Sequence, residues 1–303
     1  MNQSSPEYVL FFVDGGAGKN VMGTAVVRAI ATEYPESKIV VVASHPAIFK
    51  FNPRVYRIYR HGNTPHFHDD YITPGNSIVL KPEPYYHNDY IQKNRHLVEC
   101  RCEMLDIPCQ GIEPEIYFSK KEQEWAVGYT RSKNKPVAIV QYQGGAQPTQ
   151  HNPEPKQFVR SVNPHVIQRV VVELAKKFHV IQMKLPNQQN LQHAENGQFT
   201  LRQIMALIPH ANRLLMIDSL GQHIAAACKK QAVVMWSATS PKALGYDTHI
   251  NIIQEACPTP MCHRPNSFLF DNNHDGQPWE CPYGEACTVH DEGEILEALN
   301  AAT

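Results

Sequence analysis

Short unbroken apolar runs alternate with longer stretches in which apolar side chains return every three or four positions, and this happens twice along the chain. The first series opens with YVLFFV (Tyr8–Val13), a strand. Residues 20–34 then carry Val21, Met22, Ala25, Val26, Ala29 and Ile30 at helical spacing, and Pro35 ends that helix. KIVVVA (Lys38–Ala43) is continuously apolar after its leading lysine, the pattern of a parallel strand covered on both faces. Val79 and Leu80 end another short strand, and residues 95–105 form a helix.

The second series begins with a strand over 137–143 and a Gly144-Gly145 turn. A helix over 164–178 follows, with Pro164 suited to its first turn, then a strand over 179–185. Thr200 and Gln203 form a capping box. The strand Arg213–Ile217, a helix over 220–228 and a strand over 232–236 complete the series. Asp291 and Glu294 cap a last helix. Between the two series, SKNKP is polar and ends in proline, which places a domain boundary there. The expected organisation is an α/β chain with an N-terminal domain over 1–132, a second domain over 133–290 with a Cys-rich segment at 257–287, and a C-terminal helix over 291–303. Doubly wound sheets bind ligands at the carboxyl ends of their strands, so an interdomain cleft is the expected place for a ligand.

Composition narrows the function classes. The 303 residues are 42% hydrophobic and 19% charged, a globular balance. The formal net charge of -1 gives no global attraction to nucleic acid or anionic membranes; a nucleic-acid partner would need a local patch, for which the His- and Lys-bearing stretch 81–101 is the candidate. No run is long and apolar enough for a membrane span, and no export pattern is visible, so the expected location is cytoplasmic. The eight cysteines then read as thiols or metal ligands in preference to a disulfide framework.

DGGAGKNVMG follows the first strand. It lacks the leading glycine and the Ser/Thr of a P-loop, which would fall at Val13 and Asn20. It also fails as a dinucleotide fingerprint, whose third glycine would fall at Val21. Two readings remain: a tight strand-to-helix turn with no ligand, or a ligand loop in which Gly16 and Gly18 admit close approach beside Lys19 and Asn20. The second constellation is RLLMIDSLGQHIAAACKKQAVVMWSATSP, a buried strand, Asp218-Ser219 at a helix start, and Gly221, Gln222 and His223 in the first turn. Free N–H groups there suit a diphosphate; a packed histidine with no ligand is the alternative for His223.

DSLGQHIAAA resembles the DSGP-x-H-x-AAA segment of family 9 glycosyltransferases, the heptosyltransferase-like enzymes. VVMWSATSP is similar to the V-x-LFGPTxP strand and loop that follows it, and GKNVMGTAVVRAIATEYPESKIVVVAS with NPRV resembles the family's opening. The resemblance implies a GT-B fold, two facing Rossmann-like domains, with the nucleotide-sugar donor mainly on the C-terminal one and the acceptor on the N-terminal one. It places Asp218, Ser219, Gly221, Gln222 and His223 on the donor loop, Thr239 and Pro241 on the next loop, Gly144 and Gly145 beside the donor, and Lys184 where a cation reaches the nucleotide.

One departure matters. The family's aspartate base falls at Lys19, and a protonated lysine cannot accept a proton. Asp14, at the end of the same strand, and Glu83, in KPEPYY, are the candidate replacements, and Lys19 is then a cation for a diphosphate or an anionic acceptor. Glycosyl transfer needs positioning, a base on the acceptor hydroxyl and positive potential on the leaving diphosphate, and with no clear D-x-D run no catalytic divalent ion is expected. Cys257-x4-Cys262 and Cys281-x5-Cys287 can hold a structural zinc or iron; some family members acting on autotransporters carry cysteine-bound iron in a comparable region. Free thiols and disulfides are the other readings of these four, while Cys100, Cys102 and Cys109 read as helix packing.

The reading that follows is a glycosyltransferase moving a sugar from a nucleotide-sugar to an acceptor hydroxyl on a glycan, protein or other compound, inverting and metal-independent. The alternatives are a non-catalytic GT-B protein that binds a sugar nucleotide or glycan, and a GT-B epimerase, which would need carboxylates on both sides of the sugar.

Overall fold

The structure is a computed structural model that describes residues 5–144, 160–186, 188–262 and 281–302. These fall into two compact units, Met1–Ser119 and Lys120–Thr303.

In the first unit β1 (Tyr8–Val13) leads through a glycine turn into α1 (Ala17–Glu33) and on to β2 (Lys38–Ala43) and β3 (Val55–Arg60). β4 (Ser77–Leu80) is followed by α2 (Asn88–Ile91) and α3 (Leu97–Met104). The sheet order is β3-β2-β1-β4 and every pairing is parallel. α1 is buried along most of its length, from Val21 and Met22 to Ala29 and Ile30, because it packs on the sheet on one side and on α3 on another. The other sheet face collects Leu10, Val40 and Val42 with an aromatic group of Tyr59, Tyr71 and Phe67, whose rings meet at steep angles.

The second unit opens with α4 (Lys120–Arg131), then β5 (Val137–Val140), α5 (Pro164–Lys177), β6 (His179–Gln182) and β7 (Ala194–Glu195). α6 (Leu201–Leu207), β8 (Arg213–Ile217), α7 (Leu220–Ala227), β9 (Val233–Trp236), α8 (Pro241–Leu244), β10 (Ile250–Ile253) and α9 (Glu292–Ala301) follow. The sheet order is β10-β9-β8-β5-β6-β7, again wholly parallel. Counted from β5, this is the 3-2-1-4-5-6 order of the Rossmann sheet read from the other edge. One face is covered by α5 and α9 through Val166, Ile167, Val170, Ile295 and Leu299.

α4 groups with the second unit, so the division falls between Ser119 and Lys120, ahead of the SKNKP stretch at 132–136. The physical reason is its contact with α6: Glu122 takes two bonds of 2.7 Å from Arg202. Trp125 and Tyr129 stack, and both meet the Phe199 ring. The caps read from the sequence form as expected. Thr200 and Gln203 make a reciprocal capping box, and Asp291 accepts the Glu294 N–H at the start of α9; Asn163, which the sequence reading did not name, caps α5 ahead of Pro164.

In both sheets the chain reverses its direction of winding between two adjacent strands, β1 and β4 in the first, β5 and β8 in the second. At such a point the loops that leave the two strands diverge to opposite faces and open a crevice. A substitution of Thr200 by Ala removes one half of the α6 cap, and we expect urea unfolding to show a loss of about 1 kcal/mol.

Candidate functional site

Of the residues named from the sequence, Asp14, Lys19 and Glu83 lie at the first reversal point and Gly144 and residues 218–223 at the second, while Lys184 follows β6 and Thr239 follows β9. In the first unit Asp14 follows β1 and Glu83 lies shortly beyond β4, while Lys19 stands in the first turn of α1. The three converge. The Lys19 ammonium donates to Asp14 Oδ1 at 2.9 Å and to Glu83 Oε2 at 2.5 Å. It also lies 5.1 Å from the centre of the Tyr85 ring. The lysine side chain is only 3% exposed, against 46% for Asp14 and 28% for Glu83, so the cation is the floor and the carboxylates are the rim. The hydrogen bond from Lys19 holds the Asp14 carboxyl below its ordinary pKa, against a smaller opposing effect of burial.

Asn20 sets the turn. Its amide donates to the Gly16 carbonyl at 2.9 Å and its carbonyl accepts the His45 N–H at 3.1 Å, so the loop after β1 is tied to the chain after β2. Gly15, at φ +79°, is the position that needs glycine, and a Cβ there would also press on the Lys19 stem at 3.2 Å. Gly16 only caps α1, with open space around it, and Gly18 lies within the first turn. Arg101 was not picked out from the sequence. It reaches from α3 under this group and is almost wholly enclosed, with Nε and Nη2 unmatched among the described residues. Burial pushes its pKa down, while Tyr85, Glu83 and Asp14 favour its charge. Two cations and two carboxylates therefore share the β1/β4 reversal.

In the second unit Gly144 follows β5 and Asp218 follows β8. A Cβ on Gly144 would lie 3.1 Å from Arg160 Cβ and 3.2 Å from Ile217 Cδ1. Gly145 lies outside the described residues. Asp218 is buried, and its Oδ2 is 3.6 Å from Arg160 Nε, a residue the motifs did not point to. Ser219 is the N-cap of α7, yet its hydroxyl accepts from Gln141 instead of capping. The same Gln141 accepts the Gly221 N–H at 3.1 Å, so one of the helix's opening donors is already used. A Cβ on Gly221 would fall 2.5 Å from Met216 Sδ and 2.8 Å from Gln141 Oε1, so a larger residue there would have to displace both side chains.

Gln222 and His223 turn into the unit. Gln222 donates to the Leu244 carbonyl at 2.9 Å, and His223 Nδ1 pairs with the Tyr246 hydroxyl at 2.9 Å. Burial pushes the His223 pKa down to about 3, so its ring is neutral at ordinary pH. Lys184 spends its ammonium on the carbonyls of Leu185 and Gln188, at 3.2 and 2.9 Å, and so ties its own loop. Thr239 is buried with its hydroxyl unmatched among the described residues, and Pro241 opens α8.

The four C-terminal cysteines gather loosely. Cys257 and Cys287 pack with Ala238, with Cys262 against them. Burial, then the neighbouring Cys257, Cys262 and Cys281, pushes the Cys287 thiol up to about 12. A cation among them would relieve that, and thiolates suit zinc or iron. The sulfurs are nevertheless spread wider than a single coordination sphere. Among the described residues only the side chains of His87, Asp89 and Glu103 bring three ligand-type atoms within 4.8 Å of one another. That group is an ion-pair cluster: Arg95 bonds both Asp89 and Glu103. His87 Nδ1 accepts the Asp89 N–H, which keeps the neutral ring's proton on the Nε2 that faces Glu103. Of the two arginines in the stretch 81–101, Arg101 is buried and Arg95 is paired with Asp89 and Glu103.

No protein-family model matches the sequence, and no curated protein matches it. Solved structures do match. A family 9 glycosyl transferase from Veillonella parvula aligns over 99% of this chain and 98% of its own, at 12% identity and a TM-score of 0.69. The iron-containing dodecameric glycosyltransferase TibC from enterotoxigenic E. coli aligns over 99% of this chain and 77% of its own, at 12% identity and a TM-score of 0.70. The E. coli ADP-heptose lipopolysaccharide heptosyltransferase II aligns over 88% of this chain and 99% of its own, at 14% identity and a TM-score of 0.60. The chain has the heptosyltransferase-like GT-B fold. That agrees with the resemblance read from DSLGQHIAAA and from the opening segment. Within this GT-B chain no helix of the described residues is long and apolar enough to cross a membrane.

Replacing Lys19 by Met leaves two carboxylates facing each other with less positive charge between them. We expect a loss of about 2 kcal/mol at neutral pH. The Asp14 pKa is lowered in the folded chain, so its stabilising contribution is complete above the unfolded value of 3.8 and fades as pH falls through the folded value. Urea unfolding of the two proteins across pH 7 to pH 3 is expected to show the gap closing at the acid end.

Proposed function

We propose that the chain is a glycosyltransferase that moves a sugar from a nucleotide-sugar to an acceptor hydroxyl, with Asp14 as the base. The observation that carries this reading is the pairing of site and sheet: a carboxylate group at the β1/β4 reversal, and a glycine-bearing helix start at the β5/β8 reversal, on a heptosyltransferase-like fold. Asp14 is favoured over Glu83 because it is the more exposed of the two. Glu83 also accepts the Tyr85 N–H in addition to the Lys19 bond.

In this reading the acceptor hydroxyl gives its proton to Asp14 as its oxygen bonds the anomeric carbon of the donor. The bond to the nucleotide diphosphate breaks in the same displacement, which inverts that carbon. Lys19 keeps Asp14 ionised before the step, and the positive charge of Lys19 and Arg101 remains when Asp14 takes the proton. The start of α7 and the Arg160 guanidinium supply positive potential for the diphosphate. Gln222, His223 and Lys184 act on the shape of this region through their internal bonds. TibC has been solved with ADP-D-β-D-heptose, and E. coli WaaC with ADP, so ADP-linked heptose leads the list of donors to be tested.

A panel of nucleotide-sugars, with and without acceptor extracts, is expected to give nucleotide release. Asp14→Asn is expected to lower that rate about 10²- to 10⁴-fold with little change in donor affinity, measured by single-turnover kinetics and calorimetry. Unchanged rates in Asp14→Asn would reject Asp14 as the base. A second reading, a GT-B protein that binds a sugar nucleotide without turnover, draws on the lysine at the family's base position. Tight binding with no release across the panel is its signature.

We also propose that Cys257, Cys262, Cys281 and Cys287 draw together on a structural zinc or iron. The observations in favour are the thiol donor set and the packing of Cys257 and Cys287 around Ala238 with Cys262 against them. Elemental analysis of protein purified without chelator is expected to give about one zinc or iron per chain, lost on changing Cys287 to Ser.

A further inference from the structure

An ammonium group carries three N–H donors and no acceptor. Lys19 gives one to Asp14 at 2.9 Å and one to Glu83 at 2.5 Å. Its Nζ also stands over the Tyr85 ring, 5.1 Å from the centre, within the range of a cation–π contact. The lysine side chain is almost wholly enclosed, so an aromatic face counts for more there than it would in water. Two carboxylates and one ring are the partners of this cation among the described residues.

Tyr85 is itself held. Glu83 caps the short turn Pro84–Tyr86, and its Oε1 accepts the Tyr85 N–H at 3.4 Å. The Tyr85 ring meets the fully buried Tyr90 ring at a steep angle, with centres 5.1 Å apart. A single turn of chain beyond β4 therefore brings both a carboxylate and an aromatic face to one cation on α1.

We propose that Tyr85 is a positioning residue: its ring completes the partners of the Lys19 ammonium, so that Lys19 stays on Asp14 and Glu83 and is not the cation that meets a diphosphate or an anionic acceptor. The inference rests on the reading of Asp14 as the base. A base must be ionised before it can take a proton, and the cation that keeps it so must not leave when a charged substrate arrives. Carboxylates hold Lys19 by charge alone, and a phosphate competes on the same terms. A ring face attracts the cation without carrying net charge and takes up one side of it, so a phosphate has less of the group to win. The groups acting on Asp14 come from three elements. Lys19 of α1 bonds it directly and favours its ionised form, burial opposes, and Arg101 of α3 adds to the effect of Lys19. Glu83, beyond β4, shares the same ammonium. A looser seat for Lys19 is therefore felt first at the Asp14 carboxylate.

The test follows that carboxyl directly, by carbon-13 NMR of the full-length chain labelled at aspartate, with Asp14→Asn to assign the signal. Tyr85→Leu removes the aromatic face and is expected to raise the Asp14 pKa by about half a pH unit. Lys19→Met marks the loss of the whole cation, expected as about one unit or more in the same direction. Tyr85→Phe keeps the face and is expected to leave the value where it is. Ring-fluorinated phenylalanines at position 85 weaken the negative face while keeping its shape, and are expected to raise the value stepwise with each fluorine. In nucleotide release from the sugar panel, the acid limb of the pH profile is expected to move with the carboxyl in Tyr85→Leu, with KM for the donor unchanged. An Asp14 pKa that stays put in Tyr85→Leu overturns the proposal, as does a shift in Tyr85→Phe as large as the one in Tyr85→Leu. Should Tyr85→Leu not fold, the fluorinated series decides, and a flat series overturns the proposal. A carboxyl that shifts while the acid limb stays fixed supports the role of Tyr85 and rejects Asp14 as the base.

Discussion

An ammonium group enclosed by protein has to be met by negative charge, because leaving it unpaired costs several kcal/mol. Lys19 is enclosed, and the charge that meets it comes from two places: Asp14 at the end of β1 and Glu83 beyond β4. One cation on α1 therefore ties together the chain leaving two adjacent strands. The turn could not otherwise hold this form, since Gly15 bends it through positive φ and Asn20 closes it onto His45. Arg101 adds a second enclosed cation from α3, and with Lys19 it favours the ionised Asp14 carboxylate even though burial opposes it.

The second unit solves a similar problem with neutral groups. Gln141, just beyond β5, bonds both the Ser219 hydroxyl and the Gly221 N–H beyond β8. Here an amide does what the lysine does in the first unit: it spans the reversal in the sheet and fixes the distance between two loops. Glycine at 221 is what allows Gln141 and Met216 to come so near. The Asp218 carboxylate below it faces Arg160, so charge is present but set back from the helix start.

Much of this was legible in the sequence where a run is buried on both faces. β1 and β9 are unbroken apolar runs, β2 and β8 are apolar after one leading basic residue, and the Thr200 cap announces α6. β3 is different. VYRIYR sits at the sheet edge with charged side chains in solvent, so its alternation is half polar. α4 buries only Ala126 through its backbone turns, and its contacts depend on Arg202 and Phe199, far along the chain. The candidate site was legible one residue at a time. Asp14, Lys19 and Glu83 could each be nominated, but Glu83 is 64 positions from Lys19 and no spacing rule joins them. Arg101 reads as an ordinary helix cation; its burial exists only once α3 packs on α1.

The internal bonds of Gln222 and His223 have a consequence for how such proteins are traced through sequence. These two side chains fasten α7 to Leu244 and Tyr246, the Gln222 carbonyl pairs with His249 Nε2, and Gly221 lies close against Met216 and Gln141. Folding alone is then a sufficient reason for the loop to persist through divergence, even in a lineage that has given up sugar transfer. A search keyed on this loop therefore detects a shared way of packing α7; it carries no information about the Asp14, Lys19 and Glu83 group, which belongs to the other unit.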